Sequence, residues 1–197
     1  MEGHAFDRGL FVVGRAVNGW GRSVSREELA DTESRARLVV EARQYSECLT
    51  PGQCPLDWVR AREGPADGGY NINGSPFWRL VRNLVQADGG AQEQDPAVHW
   101  SSRVAWSNLY KVSPEYRPNV DNNPGLALRR PQVEPGARLL EREVFETQPK
   151  RILVVSDRGW FEPFAEALRL QVSWTDGLVV GTADSGDQRW VICVRPE

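Results

Sequence analysis

The chain reads as an α/β protein, a three-layer αβα arrangement around a short, mostly parallel central sheet. Three observations predict it. Short apolar, β-branched runs at Leu10 to Val13, Val104 to Val112 and Ile152 to Val155 alternate with segments of helical spacing. The intervals between the runs are long enough for the crossover connections that parallel strands require. Each run stops at turn-forming residues: Gly14 after the first, the Pro- and Asn-rich stretch from Pro114 to Pro124 after the second, and Ser156 after the third.

With 197 residues, 40% of them apolar and 26% charged, the chain can bury a sizeable core as a single domain over residues 1–197. No window approaches eighteen consecutive apolar residues, and Met1 is followed by Glu2, Gly3 and His4 rather than by a basic start and an apolar signal core. The expectation is a cytoplasmic protein with no membrane partner. Cys48, Cys54 and Cys193 cannot pair completely, and their spacing fits no zinc knuckle or redox motif, so reduced thiols are expected. Only His4 and His99 offer imidazole, which argues against a His-rich metal site and against a histidine-driven triad. No cofactor and no metal is implied.

Formal net charge is -3, so bulk charge does not mark the chain as a polyanion binder. Between Arg103 and Arg151, however, nine basic residues face six acidic ones. A solvated helix face through Glu141, Arg142 and Glu143 explains part of that segment equally well.

In chain order, Leu10 to Val13 is a buried strand entering a turn at Gly14. Ser25 with Glu28 forms a capping box, opening a helix of about four to five turns through Leu38, Val39 and Ala42. From Cys48 to Asn73 the chain is loop-dominated, with one short helix around Leu56 to Arg62. Ser75 caps a helix with Pro76 at its first position, and Phe77, Leu80, Val81, Leu84 and Val85 mark its apolar face. Val104 to Val112 is a strand, and Glu134 to Thr147 a helix with Leu139, Leu140 and Val144 inward. Ile152 to Val155 is the third strand, and Trp160 to Leu168 a short helix with Pro163 in its first turn. In the tail, Val172 to Trp174, Leu178 to Thr182 and Trp190 to Val194 are strand-like, with a hairpin signal at Thr175-Asp176-Gly177.

Ligands of such sheets bind outside the carboxyl ends of the strands, so the turns after Val13, Val112, Val155 and Val194 are expected to meet there. Four ordered segments carry a resemblance: Phe11-Val-Val-Gly-Arg-Ala-Val-Asn-Gly-Trp-Gly21, Ser75-Pro-Phe-Trp78, Trp106-Ser-Asn-Leu-Tyr-Lys-Val112, and the pair Pro149 to Ser156 with Val191 to Pro196. In this order they resemble the uracil-DNA glycosylase superfamily, and the Asn-Gly-Trp of the first resembles an uncharacterised branch of it. The resemblance spans Phe11 to Pro196.

It implies a base pocket in which Gly14 allows close approach, Phe77 stacks on an extruded base and Asn108 reads the base edge. Lys111 would contact phosphate or cap the strand end. At the catalytic positions Arg15 and Ala16 follow Gly14, leaving Asn18 as the nearest amide to hold a water. Arg195 stands where relatives carry histidine, with a charge suited to an anionic base or a phosphate. The residues also admit plainer roles: core packing for Phe77, an Asx turn for Asn108, a tight turn for Asn18-Gly19. The expected function is a DNA base-excision N-glycosylase acting on a flipped-out base, with atypical catalytic positions and DNA or a nucleobase-containing ligand as partner. The alternative is a catalytically inactive nucleic-acid or partner-binding domain of the same fold. An enzyme acting on a small nucleotide ranks lower, because the first turn has neither a dinucleotide fingerprint nor Walker spacing.

Overall fold

The computed structural model describes residues 1–17, 22–47, 54, 56–63, 71–88, 98–115, 117, 120–175, 180–185 and 188–194. Its strands are β1 (Leu10–Ala16), β2 (Val104–Tyr110), β3 (Arg151–Ser156), β4 (Ser173–Trp174), β5 (Val180–Ser185) and β6 (Gln188–Val194). They form one sheet in the order β2-β1-β3-β6-β5-β4. The first four in that order run parallel, and β5 and β4 continue antiparallel. The sheet is therefore mixed and wider than the short, mostly parallel one expected. The tail decides this: β4, β5 and β6 follow one another too closely for crossovers, so they pair as antiparallel neighbours. Thr175 N donates to Val180 O at 3.1 Å where the hairpin was expected, and Asp176 and Gly177 lie outside the described residues.

The helices are α1 (Arg26–Ala30), α2 (Thr32–Glu47), α3 (Asp57–Ala61), α4 (Pro76–Asp88), α5 (Leu126–Arg129), α6 (Val133–Thr147) and α7 (Arg158–Ala167). Along β1, Phe11 and Val13 join a core with Leu140 of α6 and Phe161 and Phe164 of α7. Val12 joins a second core with Val59 of α3 and Trp78 and Val81 of α4. Successive strand side chains point to opposite faces, so helices cover the sheet on both. Among the described residues no helix is long and apolar enough to cross a membrane.

Several elements differ in detail from their periodicity. The capping box at Ser25 and Glu28 forms, but it opens only the short α1. Asp31, in extended conformation, ends α1, and its carboxylate accepts from Ser34 N at 2.7 Å to start α2. Val39 is exposed whereas Leu38 is buried. On α6 the inward stripe is Ala137, Leu140 and Val144, and Leu139 is 44% exposed, one position off that face. Leu84 is likewise turned outward from the Trp78, Val81, Val85 stripe of α4. α7 begins two residues earlier than expected, which puts Pro163 inside the helix rather than in its first turn. Asp157 occupies the N-cap without a side-chain cap bond, because its carboxylate is engaged elsewhere.

Two contacts hold β2, the edge strand. Residues 1–3 lie antiparallel beside it: Gly3 N donates to Val104 O at 3.0 Å, and Trp106 N to Met1 O at 2.7 Å. A side chain at Gly3 would collide with the backbone of Ser102, so this approach requires glycine. Beyond the other end of β2, the buried Gln132 side chain accepts from Val112 N at 2.8 Å and donates to Val112 O and to Leu128 O, each at 2.9 Å. One side-chain amide thus satisfies both backbone groups of Val112, as a neighbouring strand would.

Candidate functional site

The parallel strands end together, and the register sets Gly14 of β1 beside Asn108 of β2. A Cβ at residue 14 would stand 2.5 Å from Asn108 Oδ1 and 3.5 Å from Phe77 Cε2. A side chain at residue 14 would push the Asn108 carboxamide aside, and the three residues expected to hold a base lie together. Asn108 is 6% exposed, yet its side chain has no hydrogen-bond partner among the described residues. A primary amide carries two donors and an acceptor. Such a group is poised for a ligand that offers a complementary edge.

Aromatic rings line the same face. Phe77, at the second position of α4, meets Trp78 edge-on with centroids 4.8 Å apart. Trp106, two residues before Asn108 on β2, packs against Trp58 at 5.7 Å and Trp78 at 5.6 Å. Phe77 is half-buried and also contributes to the core under α4, so its stacking role and its packing role are compatible.

The opposite face of the same sheet end is charged. Arg15 Nη1 bonds Asp157 Oδ2 at 2.5 Å, and its guanidinium lies over the Trp160 ring at 4.7 Å. Arg129 covers the same ring at 4.2 Å. Tyr110, at the end of β2, donates its hydroxyl to Trp160 O at 3.2 Å and meets the Trp160 ring edge-on. Burial pushes the Tyr110 phenol up, against the opposing pull of Arg129, so it remains a donor at neutral pH. No motif or spacing in the sequence marks Arg129, Asp157 or Trp160 as site residues. The sole hint was that Arg15 occupies the position after Gly14.

Lys111 points away from the Asn108 side. Its ammonium donates to both carboxylate oxygens of Glu143 on α6, at 3.0 Å each, and to Ser107 Oγ. All three donors are occupied, which leaves none for a phosphate. Burial lowers the Lys111 pKa, and the charge and hydrogen bonds of Glu143 offset this only in part. Asn18 and Arg195, the two expected catalytic positions, lie outside the described residues.

A second polar constellation resembles catalytic wiring but sits at the wrong end. His99 contacts Ser101 Oγ through Nδ1 at 2.8 Å and Glu63 Oε2 through Nε2 at 3.0 Å. Ser101 is 1% exposed and donates to Leu56 O, and the segment leads into the amino end of β2. The hydroxyl is out of reach of a substrate, and the ring nitrogens are reversed relative to a serine-histidine-acid triad, whose Nε2 faces the serine. Glu63 also accepts from Trp100 Nε1 at 2.7 Å, and the network ties α3 to the turn before β2. Burial works to raise the Glu63 carboxyl, but the hydrogen bonds from His99 and Trp100, with the charges of His99 and Arg82, outweigh it and hold the group below its ordinary value.

Cys54 and Cys193 are free thiols, with Cys193 pushed up by burial, and Cys48 lies outside the described residues. Among the described residues no cluster of His, Cys, Asp and Glu is arranged to hold a metal ion. Comparison with protein-family models, with curated proteins and with solved structures finds no match to this chain.

Proposed function

We propose that the Gly14, Phe77 and Asn108 pocket accepts a nucleobase, and that the protein is a uracil-DNA glycosylase-like N-glycosylase acting on a flipped-out base with atypical catalytic positions. The observation that carries this reading is the buried Asn108 carboxamide, which has no partner among the described residues, set against a glycine and beside an aromatic ring. Its donor and acceptor match the alternating edge of a pyrimidine, and Phe77 offers a face for stacking. Base release develops positive charge on the sugar and negative charge on the base, so Arg195 would stabilise the leaving group and Asn18 would hold the attacking water.

The test is incubation with single and double strands containing uracil, hypoxanthine or xanthine, followed by alkali and gel analysis. Strand cleavage at the modified position is expected. Its absence at high protein concentration removes the catalytic reading.

A binding-only reading draws on a different observation. The two residues after Gly14 are an arginine already paired with Asp157 and an alanine, neither of which can activate a water. A binding-only domain would show salt-dependent affinity for nucleic acid without base release, because phosphate contacts expel counterions. Flat titrations across single strands, duplexes and structured RNA would count against it.

A further inference from the structure

We infer that Arg15 and Arg129, held over Trp160 at the carboxyl end of the sheet, form a seat for a phosphate-class oxyanion. The guanidiniums come from distant segments, the end of β1 and the end of α5, and converge on one indole ring at 4.7 and 4.2 Å. Guanidiniums repel, so gathering two on one ring is favourable only if something balances their charge. Asp157 provides one carboxylate, and only to Arg15. Asp121, within electrostatic reach of Arg15, keeps its negative charge but turns Oδ1 to the backbone and side chain of Asn123 rather than to a guanidinium. Stacking on an indole occupies only the face of a guanidinium; Arg15 gives an in-plane N–H to Asp157 and Arg129 hydrogen-bonds the Tyr110 hydroxyl, and the remaining N–H groups are left for an anion.

Three further groups point to an oxyanion rather than a purely internal stack. Arg129 Nε is buried without a hydrogen-bond partner among the described residues. Ser156 Oγ, at the end of β3, is buried and equally without a partner among them. Arg15 and Ser156 each lie two residues past the paired Val13 and Val154, so both leave the sheet toward the α7 face. The third group is the first turn of α7, which Asp157 does not cap with its side chain. A tetrahedral anion offers enough acceptors for two guanidinium forks and a hydroxyl. This seat is distinct from the base pocket: Gly14 and Arg15 are consecutive, but they present opposite faces of β1.

The experiment is calorimetric titration with inorganic phosphate, with a nucleoside 5′-monophosphate, with a thymidine dinucleotide carrying one phosphodiester, and with the free nucleoside, in chloride-matched buffer. Phosphate is expected to bind the wild-type chain, and Arg129→Gln and Arg15→Gln are each expected to weaken it at least about tenfold. Binding of the dinucleotide identifies a nucleic-acid backbone as the source of the phosphate, whereas binding of only phosphate and the monophosphate identifies a small nucleotide or free phosphate. Far-UV circular dichroism checks the fold of each variant. Should Arg129→Gln unfold, Arg129→Lys keeps the charge and loses the fork, and intermediate weakening is expected. No heat from phosphate at concentrations that would reveal a Kd of about 1 mM overturns the seat, as does unchanged affinity in both arginine variants. Asn108→Leu is expected to leave phosphate binding intact, so failure of the base reading and failure of the seat give different results.

Discussion

At the carboxyl end of the sheet, the two faces of β1 and β2 solve opposite problems. On the α4 face, Gly14, Phe77 and Asn108 bring together a small residue, a ring and an amide that has no protein partner among the described residues. On the α6 and α7 face, Arg15, Lys111, Glu143 and Asp157 meet in ion pairs, and two arginines share Trp160. Lys111 spends all three of its donors on Glu143 and Ser107, whereas Arg15 spends one N–H on Asp157. An uncharged amide can be left open at a smaller cost, which makes it the better candidate for a ligand contact. Polar residues of one end of one sheet thus separate into those that hold the fold and those that remain available.

Four measurements break or sharpen this contrast, and urea denaturation reads the first three. Lys111→Met leaves the half-buried Glu143 carboxylate without its cation and is expected to cost about 2 kcal/mol, less than a fully buried pair because solvent still reaches it. Adding Glu143→Leu is expected to restore most of that loss. Trp160→Leu removes the ring under both guanidiniums and beside Tyr110, for an expected loss of about 1–2 kcal/mol. Asn108→Leu is expected to change stability least, from neutral to a gain of about 1 kcal/mol, while abolishing nucleoside binding. A destabilisation of that size would instead assign Asn108 to the structural side. The smallest effect is the acid limb of stability. Because the Glu63 carboxyl is depressed in the folded state, the unfolded chain takes up the proton first as pH falls. Its contribution is fully present above the ordinary glutamate value of about 4.3 and is lost as pH drops through the lower folded value. Glu63→Gln should flatten that limb in pH-dependent thermal melts.

Much of this architecture can be read from residue pattern. The runs of β1, β2 and β3 are apolar on both faces because both faces are covered, and α4 carries Ser75, Pro76 and a clean stripe. Periodicity could not tell Leu139 from Leu140, since adjacent positions on a helix differ by only part of a turn. It also joined α1 to α2 across Asp31, whose carboxylate prefers a cap to a helix interior. The sense of β5 and β4 rests on connection length, which the loop-rich tail obscures. At the site, Gly14, Phe77 and Asn108 were recognisable because each is unusual for its local context. Arg129, Asp157 and Trp160 were not, because a cation over a ring joins distant segments without any spacing rule.

The Gln132 clamp on Val112 has a consequence for how a ligand would be received. The segment leaving β2 just beyond Asn108 starts from a residue whose N–H and C=O are both held by one buried amide. The ordering entropy of that segment is therefore spent during folding, not during association. A guest reaching Asn108 would meet a mould already set, and binding there should be fast and accompanied by little rearrangement of the chain.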